Sequence, residues 1–233
     1  MSMSNAMENA IALLVANNTN WANIGDATGI RGSTTAGSLW LALNNADPGE
    51  AGTAVSNETA YTGYARVAVA RSSAGLTVTG STINLTATAT FPTCNTGTGD
   101  TITHCSIVST SSGAGILLMK GVIGTGGVKP FTADATSDLI TSAAHGFAAG
   151  DRVVFEAIEG LSLPTGITEG TVYFVIATGL TTDAFAISTT SGGAAVNITV
   201  SGGGMLFKCT PLVVTSSPAV TPALTTTTAF TLG

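Results

Sequence analysis

Threonine and glycine set the first limit on what this chain can become. Forty of its 233 residues are Thr and 29 are Gly. Thr is β-branched, so its stiff χ1 suits a pleated strand, while Gly supplies the turns between strands. The same residues, with Ser, interrupt every apolar run. Mean hydropathy is high at +0.44, yet no stretch reaches the ~18 consecutive apolar residues that a membrane-spanning helix requires. An all-β chain with no membrane partner is therefore expected.

Charge narrows the function classes. Only 9% of residues are charged, against roughly 25% in ordinary soluble proteins. Seven Lys and Arg oppose 13 Asp and Glu, giving a net charge of -6. Nucleic-acid binding, which needs a basic stripe to neutralise phosphates, is excluded. A surface of hydroxyls rather than mixed charges does little to keep free monomers apart. Strand edges clad in Thr and Ser are expected to be covered by copies of the same chain or by another protein, ahead of the alternative of a secreted or halotolerant β-protein whose hydroxyls suffice for solubility.

One segment reads as a helix. Asn5 is placed as its cap, and Ala6, Met7, Ala10, Ile11, Leu13, Leu14 and Val15 fall mostly on one face, ending in the cluster Asn17–Asn18–Thr19–Asn20. At about three turns it needs something to dock on, either its own domain or a neighbouring subunit. Met1–Glu8 lacks a basic region, and the apolar run Ala10–Ala16 is short for a signal peptide, so no Sec export is expected.

Short strands follow at Ser38–Leu43, Arg66–Arg71, Leu76–Thr79, Thr82–Phe91, Thr101–Val108 and Gly115–Val122, with a turn at Asp47–Glu50. This spacing predicts a jelly-roll-like β-sandwich. From about residue 128 the character changes. More than half of the acidic residues lie here, with strands expected at Asp138–Ser142, Arg152–Ala157, Thr171–Thr178, Ala184–Thr189 and Ala195–Val200. Turns are placed at Ala144–Gly150, Leu163–Gly166 and Ser191–Gly193. The strings before and after it, Gly113–Lys120 and Gly202–Lys208, resemble each other and carry Gly-rich joints (Gly124–Gly127 and Gly202–Gly204). The expected organisation is a sandwich of residues 1–127 plus 204–233 interrupted by a small β-barrel or sandwich of residues 128–203. Closing strands are expected at Leu212–Thr215 and Thr226–Leu232.

Residues able to carry chemistry are few, and no catalytic, cofactor-binding or metal-ligating residue is assigned. His104 sits in an alternating strand and His145 in a turn. Cys94, Cys105 and Cys209 are odd in number, which favours buried thiols over a disulfide framework, although Cys94 and Cys105 could face each other across a hairpin. The carboxylate pairs Asp47/Glu50 and Glu156/Glu159 lack calcium-loop spacing and read as a turn and a loop rim. Trp21, Trp40, Tyr61, Tyr64 and Tyr173 are placed in the core or an interface rather than on a sugar platform.

The string WLALNNADPGEAGTAVSNETAYTGYARVAVAR, Trp40 to Arg71, resembles a family of small structural proteins of tailed bacteriophages. The resemblance runs over about residues 5–122 and 204–233, through Thr90–Pro92, His104 and Ser112–Gly115. Residues 128–203 resemble a separate phage β-module in Ala144–Val153, Leu163–Ile167, Gly170–Ile176 and Ser191–Thr199. The resemblance implies a virion component without enzymatic activity or cofactor, made in the host cytoplasm. Head decoration or cement is the first reading. It entails contacts with the major capsid protein and with copies of itself in a trimer or other symmetric cluster on the outer head surface. The N-terminal helix and Thr53–Tyr64 would form the contact face, and the inserted domain would project outward. A tail or tail-fibre component contacting tail proteins is the alternative, and a host-glycan adhesin a third.

Overall fold

A computed structural model describes residues 4–22, 30, 32–158 and 160–231. Among these residues the chain is all-β apart from one helix, and it divides into two compact units, residues 1–121 with 213–233, and residues 122–212. The seams expected at 127/128 and 203/204 lie inside strands of the second unit.

The first unit begins with helix α1 (Asn5–Asn17). Its cap is Ser4, one residue before the Asn5 expected, because the Ser4 hydroxyl accepts the Met7 N–H at 3.3 Å. Asn18 ends the helix in the left-handed conformation at φ 56°. Only Ala12 and Ala16 are fully buried, so the helix docks through its smallest side chains. It packs on β3 (Leu76–Thr79) and β4 (Thr82–Leu85) of its own unit.

The main sheet has the order β2 (Val67–Ala70), β1 (Ser38–Asn44), β7 (His104–Val108), β8 (Leu117–Val122). Antiparallel register sets Trp40 opposite Val108 and Asn44 opposite His104. Every residue of β7 is buried, as expected of a central strand covered on both faces. Smaller sheets complete the unit. β5 (Ala89–Thr90) pairs with β16 (Ala223–Leu224), and β6 (Asp100–Ile102) with β15 (Leu212–Val214). β17 (Ala229–Thr231) joins β4 and β3.

Two expected strands are each split. Thr82–Phe91 breaks after Leu85, where the Thr86 N–H turns to the Gly75 carbonyl. Thr101–Val108 breaks at Thr103, whose N–H bonds the Asn44 carbonyl while β6 and β7 go to different sheets. Alternation of apolar residues is continuous through Thr86 and conceals the change of partner there, whereas at Thr103 the polar pair Thr103–His104 shifts its phase.

The second unit is a closed antiparallel barrel in the order β10 (Leu139–Thr141), β13 (Ala184–Ser188), β12 (Val172–Ile176), β11 (Arg152–Glu156), β14 (Gly202–Cys209), β9 (Gly124–Asp134). Closure removes exposed sheet edges. Phe131, Ile140, Val153, Phe155, Tyr173, Val175, Phe185, Ile187 and Leu206 fill it. The expected strand Ala195–Val200 is not one. The segment plugs the barrel instead: Ile198 is buried, its N–H bonds the Asp138 carboxylate at 2.7 Å, and the Val196 N–H bonds the Ile187 carbonyl at 2.8 Å. The fifth and sixth strands, β9 and β14, come from the two Gly-rich joints. A Cβ on Gly202 would lie 2.5 Å from the Ser162 carbonyl oxygen, and one on Gly204 would collide with that of Glu156. Glycine in β14 is thus a condition of close strand approach.

Candidate functional site

The Ala46–Arg71 motif can be read residue by residue. Asp47 opens the turn, its carboxylate accepting the Gly49 N–H at 3.0 Å. Gly49 has φ 75°, a left-handed conformation that favours glycine, and Gly52 donates to its carbonyl at 3.1 Å. A Cβ on Gly52 would collide with the Pro48 carbonyl oxygen. Lys120 of β8 fastens the turn to the sheet through Asp47 at 3.2 Å and Glu50 at 3.1 Å. Burial opposes the Lys120 charge, but the hydrogen bonds and charges of Glu50 and Asp47 outweigh it and hold the ammonium above its ordinary value.

Arg66 stands at the centre of the motif, with 2% of its side chain exposed. It meets Glu58 through Nε and Nη2, both at 2.7 Å. The remaining donors reach the carbonyls of Thr110 (2.9 Å), Ala54 (2.9 Å) and Gly113 (3.1 Å). The planar five-donor fork of Arg satisfies such a set, and a Lys point charge would not. Tyr64 donates to Glu58 at 2.9 Å and accepts the Leu43 N–H at 3.1 Å. Its phenol is pushed far above the ordinary range by burial. Tyr61 donates to the Pro92 carbonyl at 2.7 Å, and burial raises it to about 12. The segment Thr53–Tyr64 therefore turns Tyr61, Tyr64 and Glu58 inward, while Val55 faces out, 46% exposed.

Arg71, at the other end of the strand, serves α1. Its Nε and Nη2 donate to the carbonyls of Val15 (2.6 Å) and Leu14 (2.7 Å). Those are acceptors that the helix end leaves without partners, at the negative end of its dipole. The Arg66 clamp and the Arg71 cap are not assigned from the sequence above. The available signal was two arginines bracketing an apolar strand in a chain with only seven basic residues.

The remaining candidates do not converge. His104 is buried in β7, and its Nδ1 lies 2.9 Å from the Thr103 hydroxyl. That hydroxyl donates to the Asn45 carbonyl, so Nδ1–H donates to it and Nε2 keeps the lone pair with no hydrogen-bond partner. Burial first, then the Lys120 charge, lowers His104 to about 4, with Asp47 opposing. His145 lies in the barrel, in the other unit. Cys94, Cys105 and Cys209 are all buried, and burial raises Cys105 and Cys209 to about 12, far from reactive thiolates. Trp40 packs against Ala42, Ala54 and Val108, and the Tyr173 hydroxyl accepts the Thr168 N–H at 2.9 Å, so neither forms a sugar platform. Trp21 bridges to Ile30 through the backbone. Asp47 and Glu50 are held by Lys120; of the other carboxylate pair, Glu159 lies outside the described residues. Among the described residues no group of three His, Cys, Asp or Glu could hold a metal ion, and no helix is long and apolar enough to cross a membrane.

Charged residues here brace loops and strand ends, the pattern of a structural protein, and comparison places that protein on a bacteriophage particle. Residues 2–126, more than half of the chain, match the family model described as podophage GP4 fiber I protein gp80. The chain belongs to this family of phage fibre proteins. No curated protein matches it.

Proposed function

We propose that the chain is a non-enzymatic fibre component of a podophage tail, working as one of several identical copies. The match over residues 2–126 carries this reading and puts the tail arm ahead of head decoration. The geometry agrees with a mechanical role. The motif's charges are satisfied within the unit by Arg66, Arg71 and Lys120, leaving Thr- and Ser-rich strand surfaces to meet other molecules. Copies related by symmetry would add weak contacts through effective concentration. Residues 122–212, with their own core, are proposed as an inserted module that gives the fibre extra surface. Quantitative mass spectrometry and electron microscopy of purified particles test the reading. A few copies per particle, labelled at the tail, are expected. Hundreds of copies over the head would reinstate decoration, and absence from the particle would end both.

A further inference from the structure

Two loops of the first unit meet above the Arg66 clamp and form one surface. Thr53 and Ile116 are bridged as an antiparallel pair, and the Ala54 N–H donates to the Gly115 carbonyl at 3.0 Å. Side chains directly opposite in such a pair share a face, and neighbours along each chain alternate. Ala54 is buried, so Thr53, Val55 and Ile116 point outward together. Among the described residues Ile116 is the most exposed large apolar side chain, at 66%, and Val55 is 46% exposed. Ser112 and Ala114, in the loop leading to Ile116, are exposed as well.

These side chains stand on a fixed base. One guanidinium ties both loops together: Arg66 Nη2 donates to the carbonyls of Ala54 and Gly113, and Nη1 to that of Thr110. Ile116 is held a second time, its N–H donating to the Ser109 hydroxyl at 2.9 Å and its carbonyl accepting the Ser109 N–H at 3.0 Å. A surface already ordered loses little freedom when a partner covers it. Charge then selects the partner. The chain carries -6 overall, so two copies repel one another through their acidic faces. Thr53, Val55, Ala114 and Ile116 carry no charge. The charged side chains that brace these loops are matched within the unit, Glu58 by Arg66, and Asp47 and Glu50 by Lys120. A neutral patch with an apolar centre is where identical acidic molecules can approach, whereas a cationic partner would be drawn to the acidic faces instead.

We propose that the surface around Val55 and Ile116 is a contact between copies of this chain, with Ile116 at its centre. The inference rests on the reading of the protein as one of several identical copies, and it names the surface through which they meet. About a symmetry axis the two β-branched side chains of each copy pack on those of the next. Two apolar side chains fall short of a standard interface of about 800 Å² per partner, so the contact is weak alone and gains strength where a fibre holds its copies together.

The test places single new thiols on the full chain, whose own Cys94, Cys105 and Cys209 are buried. Ile116→Cys is compared under mild oxidation with Val200→Cys, whose site in the barrel unit is 59% exposed. Disulfide-linked dimer should form about tenfold faster at position 116, where association brings the thiols together before they react. Sedimentation equilibrium gives a second measurement. Self-association of the parent chain should weaken about tenfold or more in Ile116→Asp, because a carboxylate would be buried against its own copy. The urea midpoint of that variant should match the parent, since the side chain is exposed. Equal crosslinking rates, or an Ile116→Asp chain that associates like the parent, would overturn this surface and leave the copies to meet elsewhere. A parent chain that stays monomeric at every concentration would overturn it too. So would a parent that does not self-associate but loses its place on the particle with Ile116→Asp, an outcome that makes a different virion protein the occupant. Copy number on purified particles is read separately and still decides the proposed function.

Discussion

Replacing Arg66 with Met isolates the chemistry of the motif's central side chain, because Met retains most of the apolar stem and removes every donor. Glu58 loses two bonds of 2.7 Å and keeps only its contact with Tyr64. With 16% of its side chain exposed, the carboxylate cannot be fully rehydrated where it stands. Removing one member of a buried pair costs about 3–5 kcal/mol, and the buried Ala54 carbonyl adds about 1 kcal/mol as an acceptor without a donor. The carbonyls of Thr110 and Gly113 lie in an exposed loop and recover water, and Glu58 keeps partial access to it, so about 4 kcal/mol, the low end of that sum, is expected. Both tryptophans lie in the first unit, so tryptophan fluorescence during urea titration reads that unit without the barrel. At a slope of about 2 kcal/mol per molar urea, the midpoint should fall by about 2 M. Adding Glu58→Gln to Arg66→Met should restore roughly half of the loss, because it removes the unpaired charge. A midpoint within about 0.5 M of the parent, or a double variant no better than the single, would refute the view of this pair as a clamp.

Other perturbations test separate parts of the structure. His104 is lowered from 6.5 to about 4 in the fold, so between those values the unfolded chain binds a proton that the folded chain refuses. Stability is then complete above pH 6.5 and falls by about 3 kcal/mol toward pH 4; urea midpoints across that range should show the slope, and His104→Leu should flatten it. Arg71→Gln should cost about 1–2 kcal/mol by leaving the carbonyls of Leu14 and Val15 unmatched, seen as earlier loss of helical circular dichroism on heating. Gly52→Ala should cost about 2 kcal/mol because the backbone at Pro48 must shift, whereas Glu50→Gln, at an exposed ion-pair partner of Lys120, should change stability by less than about 1 kcal/mol, both read from urea midpoints. Residues 122–212 expressed alone should unfold cooperatively with Tyr173 as the fluorescent probe, and a peptide without dispersed amide signals would deny the unit its independence.

Strands were legible where a short apolar or alternating run keeps the same partners along its length. Leu76–Thr79 coincides with β3, and Ser38–Leu43 falls one residue short of β1. Legibility failed where pairing switches: at Thr86 the change of neighbour leaves no trace in the order of apolar and polar residues, and at Thr103 its trace is only the phase shift of two consecutive polar residues, Thr103–His104. It also failed at Ala195–Val200, where Val196 and Ile198 alternate as a strand would but make their bonds to Ile187 and the Asp138 side chain. The barrel's missing strands lay in what read as hinges. Glycine near residues 124 and 202–204 suggests a joint from composition, yet serves there to let backbones approach.

The candidate sites divide in the same way. Asp47, Gly49 and Gly52 announce a turn, since each residue type has a local reason to be there. Arg66, Glu58 and Lys120 act across 8 to 73 positions of sequence, and no local rule links them. In a chain this poor in charge, though, each basic residue is a stronger clue than it would be elsewhere. Arg66, Arg71, Lys120 and Lys208 each meet a carboxylate or a helix end. Lys129 is the lysine whose partner is a neutral carbonyl. Where most of the described basic side chains brace the fold, one left with a neutral partner is where interaction with something outside the chain should first be sought.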